Sequence, residues 1–262
     1  MHNLKYLIDL EGTLVLDKSY RPICNSVSWI RELKEKKKSF IIASNNTTDK
    51  PDELIEKLRK NGLDVDFEHL MSSLSISVEK LRELETESCF VLGSDSLKSY
   101  LRDNGFIVIE NDIHKVDSII VGLDLEISNN KLKTAATAIL NGANLIALHI
   151  NRLYKDVDGR FGVSTGGIVS ALEYATQVKA TVIGKPEKYY YEKALEKLDA
   201  KPEETLFIGD DPFSDLAGAK KLGIITAFVL SGKYNSRMII KSIDKNLRPD
   251  FIVRGVDDIK IV

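Results

Sequence analysis

What most constrains this chain is a series of short, nearly unbroken apolar runs, each closing on polar residues. "KYLIDL", "SFIIASNN", "TLFIGD", "IITAFVL" and "DFIV" are all strand-sized. Ile, Leu, Val and Phe without polar alternation suit strands buried on both faces, as parallel strands are. The stretches between them predict amphipathic helices near 25–37, 50–60 and 213–221. Alternating strand and helix reads as an α/β fold, a Rossmann-like parallel sheet flanked by helices.

Between these halves the same grammar recurs. "FVLGSD", "DSIIVGLD" and "NLIALHI" alternate with predicted helices near 129–141 and 168–177. We therefore expect a core formed by residues 1–75 and 182–262, with 76–181 as an inserted α/β domain. Such insertions are tolerated where chain ends meet at a surface.

Composition narrows the function classes. With 262 residues and 43% hydrophobic content, the chain can bury a substantial core. A formal net charge of -2 lacks the basic character that nucleic-acid binding requires, so no nucleic-acid partner is expected. The longest apolar runs are too short to span a bilayer, so no membrane partner is expected either. Cys24 and Cys89 have neither metal-site nor redox spacing and fit a thiol protein of the cytoplasm.

Asp9, Ser44 and Asp210 each stand at the end of a predicted strand. Ligands of open α/β sheets collect outside that edge. Asp9, with Gly12 and Thr13 behind it, could attack a phosphoryl group or hold a divalent cation, or could simply end a strand in a tight turn. Ser44 and Asn45 could bind phosphate oxygens or cap a helix. Lys185, before Pro186, could set a compact positive charge against a phosphate, or be solvated like most lysines. Asp210 and Asp215 in "GDDPFSD" are hard oxygen donors suited to Mg²⁺, although acidic residues also favour helix starts for dipole reasons.

The order of "DLEGT", "ASNN", "GKP" and "GDDPFSD", with an insert between the second and third, resembles the haloacid dehalogenase superfamily of Mg²⁺-dependent phosphohydrolases. The insert resembles the large α/β (C2a-type) cap of the nitrophenyl-phosphatase and NagD subgroup. "LIALHINRLYKDVDGR" and "GGIVSALEYATQVKATVIGKPEKYYYEKAL" are similar to the branch that holds phospholysine phosphohistidine inorganic pyrophosphate phosphatase and the haloacid dehalogenase-like hydrolase domain-containing 2 proteins. The resemblance implies a phosphatase acting on a small phosphorylated molecule. Asp9 would be the nucleophile forming an aspartyl-phosphate, while Ser44, Asn45 and Lys185 would hold the phosphoryl group. Mg²⁺ would sit on Asp9, the main-chain carbonyl of Glu11, and Asp210, with Asp215 supporting from behind. It also implies a homodimer joined through the cap.

One position departs from the pattern. Glu11 stands where the family carries a second aspartate that protonates the leaving group and activates water. The functional group is retained, but the extra methylene moves it by roughly 1 Å, a displacement that can cost about 10²-fold. A working acid/base, a slow enzyme and a phospho-ligand or protein-binding module with little turnover all stay open, as does a phosphotransferase to an acceptor other than water. Leaving-group contacts are expected in "HINRLYKDVDGRFGVSTGG", with His149 and Arg152 as candidates; a satisfied core histidine is the competing reading of His149.

Overall fold

The computed structural model describes residues 4–23, 25–110 and 116–261; Cys24 lies outside them. The chain opens with β1 (Lys5–Ile8), α1 (Ser26–Glu35), β2 (Phe40–Ser44), α2 (Pro51–Lys60) and β3 (Leu70–Ser72). It then builds a second unit from α3 (Ser73–Glu83), β4 (Ser88–Leu92), α4 (Asp95–Asp103), β5 (Ile107–Val108), β6 (Ser118–Val121), α5 (Asn129–Leu140) and β7 (Asn144–Ala147). The hairpin of β8 (Leu153–Lys155) and β9 (Phe161–Val163) follows, then α6 (Thr165–Thr176) and β10 (Thr181–Val182). The return leg adds α7 (Lys188–Leu198), β11 (Thr205–Gly209), α8 (Ala217–Lys221), β12 (Ile225–Val229) and β13 (Phe251–Val253).

Two sheets result, each parallel throughout. The first runs β13-β12-β11-β1-β2-β3 and the second β10-β7-β6-β4-β5, with β8 and β9 as a separate antiparallel ribbon. This is the α/β architecture expected from the apolar runs, for the reason anticipated: both faces of each sheet are covered. Successive residues of β1 point to opposite sides. Tyr6 and Ile8 pack with Trp29, Leu33 and Leu54 of α1 and α2. Leu7 packs on the other side with Tyr190 and Tyr191 of α7 and with Phe207. The second sheet repeats the plan, with α5 and α6 on one face and α3 and α4 on the other. Cys89, buried there, has its thiol pushed up to about 12 by burial. Among the described residues no helix is long and apolar enough to cross a membrane.

The first sheet has its switch point at β1. From there the chain moves outward through β2 and β3, and on its return it fills the other side with β11, β12 and β13. Ile8 is level with both Ile208 and Ile42, so β1, β11 and β2 finish together. Their C-terminal ends therefore form a single shelf, the usual ligand edge of such sheets.

One expected element differs. A single helix was predicted over 213–221, but Pro212–Leu216 forms a wide π-helical turn and α8 begins only at Ala217. The Asp211 carboxylate accepts from the N–H groups of Phe213 and Ser214, at 2.9 and 3.1 Å. The widened turn is further tied by the Tyr191 hydroxyl, which donates to the carbonyls of Ser214 and Asp215. Asp215 is thereby held facing the shelf.

Candidate active site

Lys185 lies at the centre of the site. It follows β10, where the chain leaves the second sheet, and it is 1% exposed. Its ammonium group donates to Asp9 Oδ1 at 2.6 Å and to the Ala43 carbonyl at 2.7 Å, and pairs with Asp215 Oδ1 at 2.8 Å. Three donors meet three acceptors, so the buried charge is fully satisfied. Burial works against this ammonium, yet Asp215 and Asp9 overcome it and raise its pKa well above the usual lysine value.

The backbone of Lys185 is fixed as firmly as its side chain. Asn45 Oδ1 accepts from Lys185 N at 2.9 Å, and Asn45 Nδ2 donates to the Lys185 carbonyl at 3.0 Å. Asn45 also bonds Ser73 and Asn151, at 2.8 and 2.9 Å. Gly184 permits this seam, because a Cβ there would lie 2.2 Å from Ser73 Oγ and 2.4 Å from the Leu148 carbonyl.

Asp9, Asp210 and Asp215 are all buried, with carboxylate oxygens within 4.8 Å of one another. Gly12, at φ +87°, lets the loop after β1 lie against Asp210, since a Cβ would fall 2.2 Å from its Oδ2. Asp210 accepts from the Lys233 N–H, and the Lys233 ammonium bonds Asp211 Oδ2 at 2.8 Å. Burial first and then Asp215 push Asp9 well above the carboxylate range, against the pull of Lys185. Burial likewise carries Asp210 up to about 7, despite Lys233.

These residues fit a divalent cation. Asp9, Asp210, Asp211 and Asp215 bring four buried carboxylates. Lys185 and Lys233 bring only two ammonium groups to pair with them. The imbalance of two negative charges matches one doubly charged cation, and hard carboxylate oxygens are its usual donors.

Glu11 has a separate set of partners. Its Oε2 accepts from Ser44 Oγ at 3.0 Å, and its Oε1 lies 3.3 Å from both Lys18 Nζ and Asn46 Nδ2. Burial raises its pKa, but Lys18 and the Ser44 hydroxyl outweigh burial and hold the carboxyl below its usual range. Asn46 continues the network to Tyr20 and Asp49, and Lys57 closes it.

The cleft between the two units has an empty volume of about 770 Å³, part of it open to solvent. Asp9, Glu11, Asn45, Lys185, Asp210 and Asp215 all line it. Ser44 does not, and its hydroxyl serves Glu11 while accepting from Asn46 N at 3.0 Å. Asn45 reaches the cleft wall, but its amide is spent on the seam rather than left free for a phosphate. His149 lines the cleft with both ring nitrogens engaged, Nδ1 accepting from Asn151 N and Nε2 bonded to Thr165 Oγ1. Burial, then Lys18 and Lys233, hold it down to about 3, so it stays neutral.

Arg152 stands apart from the expectation of a leaving-group contact. It is exposed, its guanidinium lies 4.5 Å from the Phe213 ring centroid, and it donates to the Tyr234 hydroxyl at 3.0 Å. A cation stacked on an aromatic face and bonded across to the core acts as a strut on the rim. Lys233 and Lys18 went unread in the sequence. Lys233 had a usable signal, since it follows "IITAFVL" just beyond a strand end; Lys18 had none.

Comparison with known proteins agrees with this geometry. The haloacid dehalogenase-like hydrolase profile matches residues 6–107, and a HAD-hydrolase-like profile matches residues 182–259. The chain is 32% identical over 231 residues to haloacid dehalogenase-like hydrolase domain-containing protein 2 of Rattus norvegicus, covering 88% of this chain and 85% of that one. It is 30% identical to an acid sugar phosphatase of Staphylococcus epidermidis, covering 88% of each. A solved p-nitrophenyl phosphatase from Archaeoglobus fulgidus superposes with a TM-score of 0.85 at 29% identity, over 98% of both chains. The chain belongs to the haloacid dehalogenase-like hydrolases. Within them it falls in the NagD and nitrophenyl-phosphatase subgroup, whose E. coli member NagD shares the fold at a TM-score of 0.85.

The carboxylate cluster generates a prediction about stability. Asp210 binds its proton up to about 7 when folded, against an ordinary 3.8. Between those values the folded state holds more protons than the unfolded one, so stability falls as pH rises. We expect the melting temperature in chelator to drop from pH 5 to pH 7.5, and added Mg²⁺ to raise it more at pH 7.5. Equal Mg²⁺ effects at both pH values would contradict the cluster as a cation site.

Proposed function

We propose that the protein is a Mg²⁺-dependent phosphatase that hydrolyses a phosphomonoester or related small phospho-compound through an aspartyl-phosphate on Asp9. The observation that carries this reading is the 2.6 Å contact between Asp9 and Lys185, both buried at the floor of the cleft. A carboxylate is a weak nucleophile in water and gains from a fixed, desolvated position.

Asp9 attacks phosphorus while the bond to the leaving oxygen breaks, and that oxygen takes the electron pair and leaves as an anion or takes a proton from solvent water. Water then attacks phosphorus of the aspartyl-phosphate, gives up a proton, and frees inorganic phosphate and Asp9. Lys185, its three N–H bonds already made to Asp9, Ala43 and Asp215, would offset charge on the transferring group by its charge alone, with Asp215 keeping it in position. Asp9, Asp210 and the Glu11 carbonyl would hold Mg²⁺, which when bound would neutralise phosphoryl oxygens as a Lewis acid. Glu11, held as a carboxylate by Lys18 and Ser44, is better prepared to take the proton from water than to give one to the leaving group.

Two outcomes test this division of labour. Phosphate release from nitrophenyl phosphate is expected to need Mg²⁺, to vanish in Asp9→Asn, and to fall by about 10²–10³-fold in Lys185→Met, comparable to loss of an oxyanion donor. Activity that survives in Asp9→Asn would remove the nucleophile and the reading with it. Glu11→Gln should keep a stoichiometric burst of nitrophenolate in rapid mixing and lose roughly 10²-fold in steady turnover, as for a missing general base. A slowed burst with no other change would instead make Glu11 the acid of the first step.

A further inference from the structure

The cap wall of the cleft differs in chemistry from its floor. All the carboxylates that line the cleft come from the core; the cap contributes none. Instead it presents donors that have no protein acceptor among the described residues. Ser164, 2% exposed, lines the cleft at the N-terminus of α6, and its hydroxyl makes no capping bond within that 12-residue helix. That hydroxyl is not one of the enclosed unsatisfied groups, which among the described residues are those of Ser26 and Tyr189, so it opens to the cleft, and a helix N-terminus favours negative charge. Asn151 also lines the cleft; its Oδ1 accepts from Asn45, and its amino group donates to no acceptor among the described residues.

Lys155 supplies the charge. The other lysines of the cleft are committed, Lys18 to Glu11, Lys185 to Asp9 and Asp215, and Lys233 to Asp211. Lys155 lines the cleft from β8 and makes no direct ion pair among the described residues, although its charge reaches the Asp17 carboxylate, which lines the same cleft. A hydroxyl, an amide N–H₂ and an ammonium group thus line the cap side of the cleft.

We propose that Ser164, Asn151, Lys155 and the start of α6 form a second oxyanion subsite, so that the preferred substrate is a small phosphomonoester whose leaving group carries a further acidic group. The proposal rests on the phosphatase reading for which end of the ligand reacts. The shared chemistry is an oxyanion, and a carboxylate and a second phosphate are its two sources.

The test separates binding from turnover. Calorimetry on Asp9→Asn protein with Mg²⁺ would compare propyl phosphate, the phosphate ester of hydroxypropanoate, and propanediol bisphosphate. At least one doubly acidic ligand is expected to bind roughly tenfold more tightly than propyl phosphate, the scale of one hydrogen bond to a charged group; whichever gains identifies the oxyanion. Lys155→Met, at an exposed position, and Ser164→Ala should each erase most of that advantage, with a smaller change for propyl phosphate. Equal affinities for all three ligands, or an advantage untouched in a folded Lys155→Met protein, would overturn the subsite. Absence of phosphate release by the wild-type protein from any of the three would count against the phosphatase reading alone, since the binding preference would still be read.

Discussion

The ammonium of Lys185, enclosed between Asp9 and Asp215, is the interaction on which the rest of the site depends. It joins the ends of three strands through one atom: Asp9 follows β1, Ala43 lies in β2, and Asp215 belongs to the turn after β11. It also stands where the chain passes from the inserted unit back to the core, and Asn45 clamps its peptide there. Removing one partner of a buried pair costs about 3–5 kcal/mol because the other charge is left uncompensated. The site is therefore bound into the join between the two units and does not merely rest on the shelf.

The electrostatics divide the cleft into zones of distinct purpose. On the floor, carboxylates exceed ammonium groups, a state that burial makes unfavourable until a cation arrives. Beside it, Glu11 is compensated within its own network of Lys18, Ser44 and Asn46 and stays ionised. Opposite, the cap wall contributes no carboxylate among the described residues and brings Ser164, Asn151 and Lys155 to the cleft. Burial amplifies the imbalance on the floor, since charges interact more strongly away from water.

Much of this was legible in the sequence where buried parallel strands end. A polar residue stands out after an unbroken apolar run, which is why Asp9, Ser44 and Asp210 were read as sharing one edge. What those residues touch was less visible. Asn45 spends its amide on Lys185, 140 positions away, and Ser44 turns its hydroxyl to Glu11; neither partner could be read from local spacing. Arg152 was assigned to the substrate because the strut partners Phe213 and Tyr234 belong to the other unit. The π-helical turn at Pro212–Leu216 was hidden because an Asp-Pro start reads as an ordinary helix opening. The ionisation of Glu11 depends on Lys18, whose loop carries no periodic signal.

The most direct test of the central claim is acid quenching of the Mg²⁺-loaded protein during turnover of a phosphomonoester, followed by mass spectrometry of the peptide spanning residues 5–14. The account predicts a phosphoryl adduct on Asp9, stable in acid and lost in base, that accumulates further in Glu11→Gln. Rapid phosphate release with no adduct on Asp9 at any time of quenching would contradict it, and would mean that water attacks the substrate directly.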